Sequence, residues 1–416
     1  MTAAGDEEIT GFISRILLRY FRQGTVAGAS PARTDRDRDR ELLRLHWAIS
    51  PEVQSLTDYV LSHRHEAQSV LTSRVRIDDG PIRGRLDARA TLIQRLLAGH
   101  SAVTVSQEPV RSFATGPNHV LGWVVQQAWL LSDRFLSVLP ASASYRATVE
   151  AAASSLTQVR KVDAIKRLTA EIDLAQRPDR GALKTASRSR KIVYRRAYDA
   201  FMALLAIEAG DPETIERLLR ETLLAPVDVW RRFELATAMA LAEALQVETG
   251  LPARLNILAG DSSTPIAQVG PISLYWQART RFYQSPPPEP SEIVARKVLA
   301  AFGMRPDADR PDLVVVDERG DGRVVAVVEA KFFAAAGDDA WDRLRDATHQ
   351  LVRYGRGYRS LDQIDEVLGR SIVALVRKPT VPADLPASQP FVFDFSDMTN
   401  GRLSPWAKAV TQPPTY

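Results

Sequence analysis

The chain has 416 residues, of which 45% are hydrophobic and 25% charged, the composition of a globular protein with room for about two or three domains. It contains no cysteine, which excludes disulfide bonds, cysteine-ligated zinc and thiol nucleophiles. No apolar run approaches the roughly 18 residues of a membrane helix, and the acidic start lacks a signal-peptide pattern. We therefore expect a cytoplasmic protein without membrane contact, whose net charge of +4 is compatible with nucleic-acid binding.

The first part of the chain mixes helical with extended patterns, and we predict an α+β region over 1–110. The Asp-Arg repeat at 35–40 carries charges that compensate one another, which favours a solvated helix start over a contact arm. The predicted segments are an amphipathic helix over 7–24, a polar linker over 27–40, a helical stretch over 41–72 and an extended stretch over 73–86.

The middle of the chain is almost wholly helical from 118 to 246, and we predict a helical DNA- or partner-binding region over 111–227. A basic stretch interrupts this pattern and supplies candidate nucleic-acid-binding residues: Arg188, Arg190, Lys191, Arg195 and Arg196. Such a cluster can contact phosphates. It also fits the exposed start of a helix in an arginine-rich protein, and the sequence leaves both interpretations open.

The C-terminal part, over 228–416, has the pattern of an α/β domain. Its order predicts a mixed central sheet flanked by helices, preceded by the mainly α-helical N-terminal region. The predicted elements are short strands within 251–283, a proline-rich break at 285–290, a helix over 291–302, a β-hairpin, a helix over 338–358, and strands over 371–376 and 391–395.

The hairpin carries three charged residues at neighbouring strand ends. Two β-branched runs are joined by a turn rich in Gly and Asp. Asp312 opens the first run, and Glu329 and Lys331 end the second. Because side chains alternate along a strand, Glu329 and Lys331 share a face, with Val325 and Val327 behind them. The pattern predicts a small acidic site with an ammonium group beside it.

Such a site suits metal-dependent phosphodiester hydrolysis. Asp312 and Glu329 from paired strands can converge on Mg²⁺, which prefers oxygen ligands and keeps several waters, and Mn²⁺ can substitute for it. A metal there offsets phosphate charge, activates a water and stabilises the leaving oxygen. The Lys331 ammonium cannot bind the metal, but it can orient or polarise the attacking water.

The predicted helix over 338–358 adds Gln350 and Tyr354, which share a helix face because they are spaced i, i+4. Behind an acidic site, these side chains can hold a ligand water and position a strand end. Three arginines on the same helix and at its exit are candidates for phosphate contacts: Arg353, Arg356 and Arg359.

Together, Pro311-Asp312, Glu329-x-Lys331 and Gln350-x-x-x-Tyr354 resemble the PD-(D/E)XK nuclease superfamily, and the last element is similar to its RecB-like branch. The resemblance covers the C-terminal part of the chain. It implies a mixed sheet flanked by helices, Mg²⁺-dependent DNA cleavage, and these residues in the catalytic site.

The same resemblance implies one more acidic metal ligand on a helix before the hairpin. Glu234 lies on a long apolar helix, which would be the better packing partner for the sheet. Glu292 lies on the short helix directly upstream, where the helix dipole also favours a first-turn glutamate. The sequence leaves both candidates open, with a slight preference for Glu234.

A weaker resemblance extends to the N-terminal part. Gly84-Arg85-Leu86-Asp87-x-x-x-Thr91, Thr115-x-x-Asn118-x-x-Leu121 and Trp230-x-x-Phe233-Glu234 look like McrC-type proteins, nuclease subunits of modification-dependent restriction and phage-defence systems. That group usually has Glu where this chain has Pro117. The resemblance implies restriction or antiviral defence with an ATPase or GTPase motor partner, since the chain has no Gly-x-x-x-x-Gly-Lys-Ser/Thr loop.

These observations predict a Mg²⁺-dependent DNA endonuclease that hydrolyses phosphodiester bonds. A homodimer would supply the two active sites that a double-strand break needs. The alternative is a catalytically inactive nuclease fold that serves as an adaptor for nucleic acid or for a motor subunit. The sequence does not separate DNA from RNA as the substrate.

Overall fold

The computed structural model divides the chain into two compact units. Unit 1 comprises Met1–His46, Val138–Ala147 and Pro212–Tyr416, and unit 2 comprises Trp47–Ser137 and Thr148–Asp211. The domain boundaries expected after residues 110 and 227 stay a prediction. The structure describes residues 3–23, 35–63, 67–99, 101–139, 146–225, 227–256, 264–278, 280–284, 290–301, 310–333, 339–358, 364–379 and 389–412.

Helices and strands are numbered along the whole chain. The helices are α1 (Ala3–Gln23), α2 (Asp35–Ala48), α3 (Pro51–Ser62), α4 (Ala88–Ala98), α5 (Gly116–Val138), α6 (Arg146–Lys161), α7 (Asp163–Glu171), α8 (Arg180–Ser187), α9 (Ile192–Ala209), α10 (Pro212–Leu219), α11 (Val229–Thr249), α12 (Pro290–Ala301), α13 (Asp339–Tyr358), α14 (Ile364–Leu368), α15 (Phe395–Thr399) and α16 (Ser404–Thr411). The strands are β1 (Val70–Asp78), β2 (Arg85–Leu86), β3 (Thr104–Ser112), β4 (Ala253–Leu255), β5 (Ala267–Val269), β6 (Ile272–Trp276), β7 (Leu313–Asp317), β8 (Arg323–Lys331), β9 (Ile372–Leu375) and β10 (Phe391–Asp394).

Two segments predicted in the N-terminal part end earlier in the structure than the sequence predicts. The linker expected over 27–40 is helical from Asp35, because the Asp-Arg repeat forms the first turns of α2. The helix expected through residue 72 ends earlier, because β1 already begins at Val70. There the hydrogen-bond ladder to β3, in which Val70 pairs with Ser112, overrides the local helical spacing.

Unit 2 combines a three-stranded antiparallel sheet, in the order β1-β3-β2, with a group of helices. A fully buried Asn118 near the start of α5 joins distant segments. Its Nδ2 donates to the backbone oxygens of Gln68 and Phe113, each at 2.7 Å. The hydroxyl of Tyr194 donates to Asn118 Oδ1 at 2.6 Å. Because a buried amide without partners is costly, this network explains the place of Asn118 in the fold.

Unit 1 contains a seven-stranded mixed sheet in the order β10-β9-β8-β7-β6-β5-β4. Strands β4 to β8 pair with antiparallel neighbours, whereas β8, β9 and β10 pair in parallel. Helices α11 and α13 pack against this sheet. The expected fold class, a mixed sheet flanked by helices after a mainly helical region, is confirmed. No helix among the described residues is long and apolar enough to cross a membrane.

Helix α11 supplies much of the core of unit 1. Its middle is buried all round from Phe233 to Ala242, so it packs on the sheet and on α1 and α16. Fully burying one such large apolar side chain contributes about 1.5–3 kcal/mol. The helix ends at Gly250, whose φ of 68° gives the left-handed cap that a residue with a Cβ adopts at a cost. A helix held this firmly can position a polar side chain accurately.

The hairpin of β7 and β8 contains a β-bulge that the alternation pattern did not predict. Val315 pairs with Ala326 whereas Val316 pairs with Val324, so Val325 is the extra residue. The bulge brings Val324 onto the same face as Val327, in one buried cluster. Because the bulge interrupts the pairing at Val325, the expectation that its side chain shares that face stays a prediction. Downstream of the bulge, the alternation from Val327 to the end of β8 is as predicted.

Candidate active site

The end of the hairpin brings together the three charged residues expected there. Asp312 immediately precedes β7, and its Oδ2 accepts a 2.8 Å hydrogen bond from the backbone N–H of Ala330 on β8. Lys331 Nζ donates to Oε1 of Glu329 at 2.6 Å. Glu329 is only 2% exposed, whereas Asp312 and Lys331 are partly exposed. The site therefore has a buried carboxyl group with an ammonium on its solvent side.

Glu234 on α11 adds a third carboxyl group, which is also 2% exposed. Its Oε2 accepts two hydrogen bonds, from Trp276 Nε1 at 2.6 Å and from Gln277 Nε2 at 2.8 Å. The carboxyl groups of Asp312 and Glu329 are close enough to act on its ionisation. Of the two alternatives that the sequence left open, this is the one whose side chain the structure describes. Glu292 lies on α12, but its side chain is outside the described residues.

Burial opposes the ionisation of all three carboxyl groups, and the charge of Asp312 opposes that of both glutamates. Burial, together with the charges of Asp312 and Glu329, raises the pKa of Glu234 to about 8. Burial and the charge of Asp312 raise the pKa of Glu329 to about 8, although Lys331 opposes this shift. Burial also raises the pKa of Asp312, against the Ala330 N–H, the charges of Lys331 and Arg310, and a hydrogen bond with the Glu234 side chain. Ionising all three carboxyl groups near neutral pH would therefore require a further cation beside them.

The donor atoms at this point suit a hard divalent cation such as Mg²⁺, which takes oxygen ligands. Within the cluster, Oε2 of Glu329 is buried without a hydrogen-bond partner, and a buried acceptor left alone is costly. Oε1 of Gln350, on α13, is also buried without a partner. A metal or its bound water would satisfy such atoms. The chemistry of the residues therefore fits a divalent metal.

The carboxyl groups supply suitable ligand atoms, but their positions do not form a metal site. Within the part of the chain that the structure describes, no group of three or more His, Asp or Glu side chains is placed so that it could hold a metal ion. One oxygen of each carboxyl group already accepts from a protein donor: Glu234 Oε2, Asp312 Oδ2 and Glu329 Oε1. The other oxygen of each group is the one that a metal would use. Rotation of a carboxyl side chain would bring such oxygens together around one ion.

The remaining residues predicted on α13 lie in different environments. Tyr354 is 7% exposed and packs with Leu351 in the cluster that covers one face of the sheet. Arg353 and Arg356 are partly buried, and each interacts with another group in the chain. Arg359 lies outside the described residues. The roles predicted for these side chains stay predictions.

The basic stretch of unit 2 divides into two kinds of residue. Four of its five side chains are exposed at the junction of α8 and α9: Arg188, Arg190, Lys191 and Arg195. Arg196 differs, because its Nη1 donates to the backbone oxygen of Ser55 at 2.6 Å and its guanidinium lies 4.6 Å from the Tyr59 ring centroid. Arg196 therefore has a structural role inside the unit, whereas the other four face solvent.

Sequence reasoning missed Trp276, Gln277 and Arg310. The first two donate to Glu234, and Arg310 Nη2 donates to Gln277 Oε1 at 3.1 Å. The one sequence signal was a polar Gln277 directly after the apolar run of β6. Nothing in that run indicated that its end would meet α11.

Comparison with known proteins adds little to this geometry. No family model matches the chain, and no curated protein matches it. Among solved structures, it is similar to a refined half-complex from a tetradecameric assembly of Thermococcus gammatolerans McrB AAA+ hexamers with bound McrC. The match covers 94% of this chain and 75% of that chain, at 13% identity and a TM-score of 0.22. A similarity this low carries no argument about fold or function.

Proposed function

We propose that this chain is a metal-dependent nuclease that hydrolyses the phosphodiester bonds of DNA, with its active site at the end of the β7–β8 hairpin. One observation carries the proposal. Carboxyl groups from three separate segments, Glu234, Asp312 and Glu329, lie close enough for Asp312 and Glu329 to act on the ionisation of Glu234, and the ammonium of Lys331 contacts Glu329. A buried acidic cluster costs stability, so its presence favours a function over a structural role.

In this proposal each residue has a distinct task. Carboxylate oxygens of Asp312 and Glu329, with Glu234 as the third acidic group, would hold Mg²⁺ or Mn²⁺. The metal supplies charge for the phosphoryl oxygens and makes a bound water nucleophilic. Lys331 orients the attacking water and offsets charge on the phosphate. Oε1 of Gln350, buried without a partner, accepts a hydrogen bond from a water in the site.

The basic cluster of unit 2, formed by Arg188, Arg190, Lys191 and Arg195, supports nucleic acid as the ligand. These four exposed cations lie within eight residues of one another in sequence. Cations so close together suit the regularly spaced phosphates of a duplex, and the affinity they provide carries no sequence preference. We infer that this cluster holds DNA while specificity comes from elsewhere.

A protein partner forms the second part of the proposal. Large apolar side chains of β1 and α4 are exposed, and Leu71, Leu96 and Leu97 are 75%, 76% and 75% exposed. Apolar surface left in water marks an interaction site. Exposed arginines lie on the same sheet, on α4 and in the loop before β2: Arg74, Arg83, Arg85, Arg89 and Arg111. We infer that an ATPase or GTPase motor docks here through an apolar surface bearing acidic groups, in a restriction or antiviral defence system.

We expect the partner to be an NTPase encoded beside this chain, and co-purification with such an NTPase tests this. Leu96→Asp is expected to abolish co-purification. Val247→Asp, which places the same charge at an 83% exposed apolar position of unit 1, is expected to leave it intact. Equal retention by both variants, or the absence of such a neighbouring gene, would count against a motor at this surface.

The alternative function is a nuclease fold without activity that serves as an adaptor. The absence of a preformed metal-ligand group among the described residues favours it. Under this alternative, Asp312 and Lys331 could be replaced without loss of DNA or partner binding.

Plasmid cleavage with Mg²⁺ or Mn²⁺ tests the nuclease directly. Wild type is expected to cut, and Asp312→Asn and Lys331→Ala are expected to be inactive. Asp342→Asn and Lys408→Ala change exposed residues of unit 1 and serve as matched controls. Equal cleavage by all five proteins would place the activity elsewhere, and no cleavage by any would support the adaptor.

A further inference from the structure

We propose that Gln277 is a positioning residue for Glu234, and that a left-handed backbone turn at the end of β6 exists to give it this role. The inference rests on the proposed function, because it assigns Glu234 a task that depends on its orientation. It adds a second group of residues, Trp276, Gln277 and Arg310, to the metal site.

Side-chain alternation breaks at the end of β6. Consecutive residues of a strand point to opposite faces, so Trp276 and Gln277 would not reach a common partner in a regular strand. Gln277 has a φ of 47°, and among the described residues no other non-glycine has a positive φ. This turn brings both side chains to the same carboxylate oxygen, Oε2 of Glu234.

The turn at Gln277 carries backbone strain. A residue with a Cβ is disfavoured in the left-handed region, and glycine would adopt it without that cost. The backbone N–H of Gln277 donates to the carbonyl of Asp312 at 2.8 Å, which anchors the turn beside the hairpin end. Strained, non-glycine backbone that survives next to a cluster of charged groups is typical of functional sites. A glutamine here is retained for its side chain.

The side-chain amide of Gln277 has a defined direction. Arginine has donors and no acceptor, so the group that meets Arg310 Nη2 must be the oxygen of the Gln277 amide. The NH₂ group is then directed at Glu234. Arg310 is exposed at the mouth of the site. It therefore fixes which end of the amide faces the carboxylate.

The consequence concerns the other oxygen of Glu234. With Oε2 held by two donors, Oε1 is the oxygen that would bind a metal, and the metal would replace the hydrogen bond between the Glu234 and Asp312 side chains. A carboxylate that is oriented in advance needs no reorganisation when the metal binds, and outer partners of metal ligands commonly contribute in this way. Gln277 thus acts through Glu234 rather than on the substrate.

Paired substitutions separate this role from stability. Gln277→Ala and Gln277→Gly both remove the amide, but the glycine also relieves the left-handed strain. We expect the glycine variant to melt at a higher temperature than the alanine variant. We expect both to bind Mn²⁺ more weakly than wild type by the same factor, about tenfold, measured from the loss of the free Mn²⁺ signal in electron paramagnetic resonance. Affinities that instead follow the melting temperatures would overturn the proposal.

Crystal structures of wild type and Gln277→Gly provide a readout that needs no metal. The Glu234 carboxylate is expected to lose its defined orientation in the variant. If it keeps its place, Gln277 does not position it and the proposal is wrong. If wild type binds no Mn²⁺, the proposed nuclease function fails, and these structures alone decide whether Gln277 positions Glu234.

Arg310→Leu tests the amide direction, because the two explanations predict opposite changes in Mn²⁺ affinity. Loss of a nearby cation should strengthen Mn²⁺ binding if only charge matters. Loss of the group that holds the amide should weaken it. We expect weaker binding than in wild type, and tighter or equal binding would overturn the role of Arg310.

Discussion

Lys331 Nζ lies 2.6 Å from Oε1 of Glu329, two residues earlier on the same strand. Alternation along β8 puts both side chains on one face, so the strand itself fixes the pair. The side chain of Glu329 is 3% exposed and that of Lys331 is 20% exposed. The ammonium therefore lies between the buried carboxyl group and solvent, where a substrate phosphate would approach.

Replacing this ammonium should separate catalysis from metal binding. Lys331→Met is expected to lower the cleavage rate by about 10²–10³-fold, the cost typical of losing a preorganised charge. Mn²⁺ should still bind, because the variant removes a cation that competes for Glu329. Plasmid cleavage and Mn²⁺ titration on the same preparation measure both, with Lys408→Met as the control. Loss of Mn²⁺ binding at an unchanged melting temperature would show that Lys331 organises the carboxyl groups instead.

The raised pKa values of Glu234 and Glu329 predict how stability changes with pH. Both groups move from an ordinary value of 4.5 to about 8 on folding. Between these values the folded state holds more protons than the unfolded state, so the metal-free protein should lose stability as pH rises from about 4.5 to 8. Above that window both groups are ionised in the folded and the unfolded state, so they cause no further change in stability. Thermal melts from pH 5 to 9 without metal measure the slope.

Added metal should reverse this trend, because a divalent cation binds the ionised carboxylates and its affinity rises with pH. The stabilisation by Mg²⁺ is expected to be larger at pH 8 than at pH 6. Glu234→Gln, which cannot ionise, should flatten the metal-free slope and weaken the metal effect. A stabilisation by Mg²⁺ that does not change with pH would contradict the raised pKa values.

The hairpin could be predicted because its turn and its β-branched runs are local signals, and the charged residues at its ends follow from alternation. The bulge at Val325 could not, since it arises from the register between two strands. The same holds for Gln277, whose φ of 47° depends on α11 and β7 being in place. The slight preference for Glu234 over Glu292 stays a prediction, and the structure places the Glu234 carboxyl group close enough to Asp312 and Glu329 to feel their charges.

Two neighbouring residues of α13 test how this helix is held against the sheet. Leu351 is fully buried, whereas Val352 is 39% exposed. Leu351→Ala is expected to lower the free energy of unfolding by about 2–5 kcal/mol, through lost burial and the cavity left behind. Val352→Ala should change it by less than about 0.5 kcal/mol. Urea denaturation measures both, and similar losses would mean that α13 packs on a different face.

Arg195 and Arg196 are adjacent in α9 and should respond to substitution in opposite ways. Arg195 is exposed, so Arg195→Ala is expected to weaken DNA binding and to reduce the salt dependence of the affinity by about 0.9 per lost phosphate contact. Its melting temperature should stay at the wild-type value. Fluorescence anisotropy with a duplex at several salt concentrations measures the slope.

Arg196→Ala should instead destabilise unit 2. It removes the 2.6 Å hydrogen bond to the Ser55 carbonyl and the guanidinium that lies over Tyr59, contacts worth about 1–2 kcal/mol together. The salt slope for DNA binding should not change, because this guanidinium is already engaged within the protein. If both substitutions reduced the slope equally, Arg196 would have to leave Ser55 to reach a phosphate. If neither did, the basic cluster at the start of α9 would be a solvated helix start and not a DNA contact, the interpretation that the sequence alone left open.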